Sequence, residues 1–201
     1  MRGLHGGSVV SHVWYVAYGS NVLYSRFACY LRGGTPEGTT HVYPGCRDRT
    51  PPAADVPLTV PGRLYFATHS PVWGGGRAFL DPDADSTVAA RAYLITAGQF
   101  ADVAAQEMYR EPGEEFDLST VLSVGRHEFG TGRYETLVCL GHRDGHPLLT
   151  FTSPWRPADV EHVPPSAAYL GVIARGLVES HGFTDARLAD YFAGTAVRSP
   201  S

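Results

Sequence analysis

A chain of 201 residues, 43% hydrophobic and 18% charged, has the composition of an ordinary folded protein and is long enough to bury roughly two thirds of its unfolded surface. The formal charge is −4, from 16 Lys and Arg against 20 Asp and Glu. No broad basic surface is left to neutralise a run of phosphates, so nucleic acid is not an expected partner. No apolar run is long enough to cross a bilayer, and the leader MRGLHGGSVVSH lacks the apolar core and cleavage site of a secretory signal; no membrane partner and a cytoplasmic location are expected.

In chain order, residues 1–12 read as a flexible leader, 13–194 as a single domain and 195–201 as a frayed tail. Val13 to Tyr18 is rich in β-branched and aromatic residues and predicts a buried strand. After the small residues Gly19-Ser20-Asn21, Leu23, Phe27 and Leu31 recur every four positions, which predicts a helix from Val22 to Leu31. Residues 32–57 are dominated by Gly, Pro, Thr and Asp and read as a long surface connection. Leu58 to Thr68, interrupted at Pro61-Gly62, suggests a strand pair or a bulged strand, and Ser70 to Gly76 a glycine-rich loop that something approaches closely. Val88 to Ile95 predicts a strand, and Thr96 the N-cap of a helix running to Arg110.

Strands are expected again at Val121–Val124, Tyr134–Leu140 and Leu148–Thr152, the last two joined by a turn at Arg143-Asp144-Gly145. Ser166 caps a helix through Ser180 that Gly182 ends, and Thr184 starts a short helix through Phe192. Strand and helix do not alternate regularly, so a doubly wound parallel sheet is disfavoured. The expected class is α+β: a mixed or antiparallel sheet, curled into a small barrel, with helices outside.

Three features carry candidate chemistry. At Gly19-Ser20-Asn21, between a strand and a helix, free backbone amides and the helix dipole suit a small anion; capping alone is the competing reading. With Phe100 as origin and about 100° per residue, Glu107 falls at roughly 340°, inside an apolar arc that includes Val103 at roughly 300° and Ala104 at roughly 40°. A carboxyl there has its pKa raised, as an acid/base near neutrality requires, or is paired, with Arg26 or Arg91 as partner. Tyr169 shares an inward helix face with Val172, Ile173 and Gly176, as core or as the wall of a polar pocket. Cys29, Cys46 and Cys139 lack metal or disulfide spacing, and His142 and His146 straddle a turn without a third ligand, so no metal is expected. No Gly-x-Ser-x-Gly elbow supports a serine hydrolase.

The segment AYGSN, Ala17 to Asn21, before a helix containing Arg26-Phe27, resembles the signature of the gamma-glutamylcyclotransferase-like superfamily. Ala105-Gln106-Glu107 is similar to the family's glutamate late in a helix after a central strand. Pro165 to Tyr169, leading to a helix with Gly176 and ending at Gly182, resembles its third segment. The resemblance implies a barrel-like mixed core with outer helices and no cofactor. Carried across, it implies that Tyr18, Gly19, Ser20 and Asn21 hold the glutamyl part of a small γ-glutamyl substrate, that Glu107 is the acid/base, and that Tyr169 touches the pocket. The implied reaction is cyclisation to 5-oxoproline with release of an amine. Met108 stands where relatives commonly have Gly, no Tyr-x-Arg strand is evident near Glu114 to Val121, and the segments 32–57 and 70–76 are additions. Two other readings are a non-catalytic module that holds a small carboxylate, and an interaction scaffold presenting Trp73 and Trp155.

Overall fold

The computed structural model describes residues 10–195. Most of the expected leader and tail, residues 1–9 and 196–201, therefore lies outside the described residues. Among the described residues there are eight strands: β1 His12–Ala17, β2 Ala54–Pro61, β3 Arg63–Ser70, β4 Gly75–Asp81, β5 Thr87–Thr96, β6 Arg126–Glu128, β7 Thr136–Arg143 and β8 His146–Thr152. Five α-helices accompany them among the described residues: α1 Tyr24–Arg32, α2 Ala97–Glu107, α3 Ser119–Val124, α4 Ala167–His181 and α5 Asp185–Thr195.

Six strands form one mixed sheet in the order β2-β5-β1-β8-β7-β6, in which only β1 and β8 run parallel. The β3–β4 hairpin packs across it, β3 against β5 and β4 against β8. Thr152 ties the two together, its hydroxyl donating to the Leu80 carbonyl at 2.7 Å and accepting from the Leu80 amide at 3.1 Å. This is the mixed α+β core with flanking helices that the sequence leads one to expect. The strand β1 is central because Val13 to Ala17 are all buried and serve both faces. The prolines of β2, Pro57 and Pro61, are tolerated because β2 is an edge strand with one unpaired side.

Local signals explain the helix ends. The Thr96 hydroxyl accepts from the Gln99 amide at 3.1 Å while the Gln99 side chain accepts from the Thr96 amide at 3.0 Å, a reciprocal capping box. Ser166 caps α4, and Gly182 ends it in the left-handed conformation. Asp144 and Gly145, both at positive φ, form the two-residue turn between β7 and β8.

Three expectations are corrected, and one strand is added. Val121–Val124 is helical, not a strand: the Asp117 carboxylate accepts from the Ser119 amide at 2.9 Å, Gly125 stops the turn, and only Val121 is buried, so tertiary context overrides β-propensity. Gly75 to Asp81 is a strand that the glycine count disguised. The close approach at these glycines is made by the chain itself, since a Cβ at Gly76 would stand 1.9 Å from the Val163 carbonyl oxygen. The helix α1 starts at Tyr24, not Val22, because Leu23 adopts an extended conformation after a 3₁₀ turn at Ser20–Val22. The short edge strand β6 had no periodic signal over its three residues.

The segment between α1 and β2 is a long connection, as expected, and α2 explains how it is held. Gln99, Asp102 and Gln106 form a buried polar stripe at helical spacing. The Gln99 amide donates to the Thr50 carbonyl at 2.9 Å, the Asp102 carboxylate accepts from the Arg47 amide at 2.8 Å and pairs with its guanidinium at 3.0 Å, and Gln106 accepts from the Gly45 amide at 3.3 Å. The connection is thereby clamped along α2, which brings Tyr43 to the end where Glu107 lies.

Candidate active site

The loop after β1, the end of α2, the start of α4 and the β3–β4 hairpin converge on one cavity of about 60 Å³, room for a handful of waters at about 10–15 Å³ each. Its walls include Tyr18, Gly19, Ser20, Asn21, Glu107 and Tyr169. All six candidate residues read from the sequence thus face one space.

Glu107 is the last residue of α2, half-buried, with its carboxylate on the cavity wall. The Asn21 side-chain amide donates to it at 3.3 Å and to the Tyr15 hydroxyl at 3.2 Å. Burial pushes the Glu107 carboxyl above the usual carboxylate range; the Tyr30 hydroxyl, the charges of Arg26 and Arg133 and the Asn21 amide pull part of the way back. Neither arginine expected as a partner forms an ion pair with it. Arg91 is engaged by Asp55 at 2.9 Å and Glu179 at 2.5 Å, on the far side of the loop. Arg26 donates to the Tyr43 hydroxyl at 2.6 Å and to the Ser20 hydroxyl at 3.4 Å, and its charge lies 5.0 Å from the rings of both Tyr43 and Trp73. The Tyr30 and Tyr43 hydroxyls are 3.1 Å apart, so a run of polar groups links Arg26 to Glu107 through the long connection.

The roles within the loop differ from a simple helix-end anion site. The loop is not the first turn of α1: a 3₁₀ turn at Ser20–Val22 and the extended Leu23 stand between Gly19 and Tyr24, where α1 begins. Positive charge comes from side chains instead: Arg26, Arg77 and Arg133 line the cavity. The Tyr18 hydroxyl is taken by the Phe151 carbonyl at 2.8 Å, leaving Tyr18 an aromatic wall. Tyr169 packs against Trp73 with ring centroids 5.0 Å apart, and its hydroxyl accepts from the Ala78 amide at 3.4 Å. Burial, with the Glu107 charge adding to it, pushes its pKa up to about 12, so the hydroxyl keeps a proton free to donate into the cavity.

Two buried polar atoms here are orphaned among the described residues: Asn21 Oδ1 and Arg26 Nη1. Such atoms are rare in folded proteins and mark places where an occupant completes the bonding. Backbone strain is concentrated at the same place. Tyr109 and Tyr134 line the cavity with φ of 56° and 62°, and Thr68, at φ 51°, holds Arg77.

Sequence reading missed Arg77, Arg133, Tyr15, Tyr30 and Tyr43. Arg77 left a trace, a charge inside the apolar strand GGRAFL. Arg133 and Tyr43 sit in irregular segments where no period marks a direction. Trp73, considered as an exposed contact, is instead half-buried against Tyr169 and Arg26, and Trp155 packs edge-on against Phe79 at 5.6 Å.

No family model matches the sequence. Histone deacetylase 5 of Arabidopsis thaliana is 35% identical over 209 residues, which cover 94% of this chain and 31% of that protein; the chain spans about a third of the length of this curated relative. Among solved structures, the uncharacterized human protein loc79017 superposes with a TM-score of 0.54 at 16% identity, over 95% of this chain and 92% of that one. A gamma-glutamyl cyclotransferase superposes with the same score at 18% identity, over 94% and 92%. At such identities the likeness is one of architecture, and the chain has the fold of gamma-glutamyl cyclotransferase.

Proposed function

We propose that this chain cyclises a γ-glutamyl amide to 5-oxoproline and releases an amine, with Glu107 as the general acid/base. The observation that carries the reading is the Glu107 carboxylate, desolvated yet facing the same cavity as the Gly19–Asn21 loop, with Asn21 bridging the two at 3.3 Å. Ionised, Glu107 takes a proton from the substrate α-ammonium. The α-nitrogen attacks the γ-carbonyl carbon, closing a five-membered ring, and the bond from that carbon to the amide nitrogen breaks. Two protons leave the α-nitrogen in all and two arrive on the departing nitrogen, so one carboxyl that alternates between base and acid balances the reaction without water.

Tyr169 supports the same chemistry. Its hydroxyl accepts from the Ala78 backbone amide, so its own proton is available to the γ-carbonyl oxygen as charge develops there. Holding nucleophile and carbonyl in the cyclising conformation supplies much of the remaining acceleration, because both belong to one molecule.

The test is incubation of the purified protein with a panel of γ-glutamyl amides, followed by detection of 5-oxoproline. Product from any member supports the reading. Binding of those amides with no product from any of them turns the assignment to a non-catalytic module that holds small carboxylates.

A further inference from the structure

The charge on the cavity walls exceeds what a γ-glutamyl group uses. The ionisable walls, tyrosines aside, are Arg26, Arg77, Arg133 and Glu107, and none of the three arginines has a carboxylate within ion-pair distance among the described residues. A γ-glutamyl group brings an ammonium, matched by Glu107, and one α-carboxylate, matched by one arginine. Arg26 suits the α-carboxylate: it adjoins the loop through Ser20 and has a buried, orphaned Nη1. Two cations remain.

Both are presented to an occupant. Arg77 is nine-tenths buried and anchored through Nη1 alone, to the Thr68 hydroxyl at 3.1 Å and the His69 carbonyl at 2.6 Å. Its Nε and Nη2 make no hydrogen bond among the described residues. The Arg133 side chain makes none either; its guanidinium lies 4.0 Å over the Tyr109 ring. Glu135, two residues away, is taken by Arg110 and the Gly132 amide. Burial and the nearby Arg77 charge both oppose the charge of Arg133. Two like charges held together without a counter-ion are costly, and backbone strain at Thr68, Tyr109 and Tyr134 surrounds them.

We propose that the released amine carries two negative charges, as two carboxylates or one phosphate, and that Arg77 and Arg133 select it. The inference rests on the γ-glutamyl reading above. A guanidinium presents a planar fork that matches either group.

The experiment compares four ligands whose leaving halves carry rising negative charge: γ-glutamyl-methylamide, γ-glutamyl-alanine, γ-glutamyl-aspartate and γ-glutamyl-phosphoethanolamine. Affinity is measured by calorimetry on the Glu107→Gln protein, and kcat/KM on the wild type. The expected result is an order that follows charge, with about ten- to a hundredfold between the neutral and the dianionic ligands. The aspartate and phosphate arms identify which dianion is held. Arg77→Gln and Arg133→Gln should each flatten the order. Equal binding across the four ligands on the Glu107→Gln protein, or no binding, overturns the proposal, and that series, with both arginines intact, decides the matter even where an arginine variant does not fold. Charge-ordered binding without any 5-oxoproline refutes the cyclisation and leaves this inference standing; 5-oxoproline formed without a charge order does the reverse.

Discussion

Gly176 is where α4 presses on the loop that carries Asn21, and it offers a direct test of how the site is built. A Cβ at this position would lie 2.5 Å from the Leu23 nitrogen and 2.7 Å from the Val22 carbonyl carbon. Both are backbone atoms, so no side chain can rotate away, and α4 or the loop must shift by about 0.9 Å to reach ordinary contact at 3.4 Å. The substitution Gly176→Ala gains about 0.8–1.0 kcal/mol in helix propensity and loses about 2–3 kcal/mol to overpacking, toward the upper part of the usual range. The net is a destabilisation of about 1–2 kcal/mol, or roughly 2–8 °C in Tm for a chain of this size. Gly171 is the control, in the same helix but exposed, with no atom within 4 Å of the added methyl. There the same change should raise Tm by about 2–4 °C. Calorimetric or fluorescence melting of the two variants beside the wild type measures both signs. The 5-oxoproline rate should also fall in Gly176→Ala, since Asn21 rides on the displaced turn. A rise in Tm for Gly176→Ala like that of Gly171→Ala would refute the close packing of α4 on the loop.

Other outcomes follow from the same geometry. Burial raises the Glu107 pKa in the folded state above its unfolded value, so the native protein holds that proton more tightly and loses stability as pH rises from the ordinary carboxylate range through the raised pKa. Melting of Glu107→Gln against wild type should therefore show a stabilisation at neutral pH that fades as pH falls through that window; a gain confined to acid pH contradicts the burial argument. Asp102→Ala removes a carboxylate that is 1% exposed and holds both the amide and the guanidinium of Arg47. It should cost about 2–4 kcal/mol in urea unfolding, and limited proteolysis should then cut the connection between α1 and β2 first. Tyr169→Phe deletes a hydroxyl that accepts from the Ala78 amide. It should lower stability by about 1 kcal/mol and slow 5-oxoproline formation about ten- to a hundredfold with little change in KM, whereas an unchanged kcat argues that the hydroxyl is only structural.

Much of the fold was legible because its signals are local. The apolar run of β1, the Thr96 and Ser166 caps, the stop at Gly182 and the turn at Asp144-Gly145 each depend on a few adjacent residues whose geometry allows little else. The failures have two causes. The strand β4 has Val163 to Ser166 lying against its glycines, a contact decided by residues far away in sequence, and α3 replaced an expected strand between the Asp117 carboxylate and the left-handed Gly125. The site divides in the same way. Glu107 betrayed itself by standing in an apolar arc, and Tyr169 by its inward face, so helical periodicity carried both. Arg133 and Tyr43 come from irregular segments. Their direction is set by tertiary clamps, such as Gln106 on the Gly45 amide, and nothing in the order of residues announces it.

The central claim is that one carboxylate moves the protons of a cyclisation, and the most direct measurement is the initial rate of 5-oxoproline release from γ-glutamyl-alanine by wild type and by Glu107→Gln. Calorimetric binding of the same ligand serves as the control. The account predicts binding that persists, weakened by the loss of the ammonium's partner, with a rate lower by about 10²–10⁴-fold, and a wild-type rate that rises with pH through a value above the ordinary carboxylate range. A Glu107→Gln protein that binds the ligand and turns it over at the wild-type rate would contradict it.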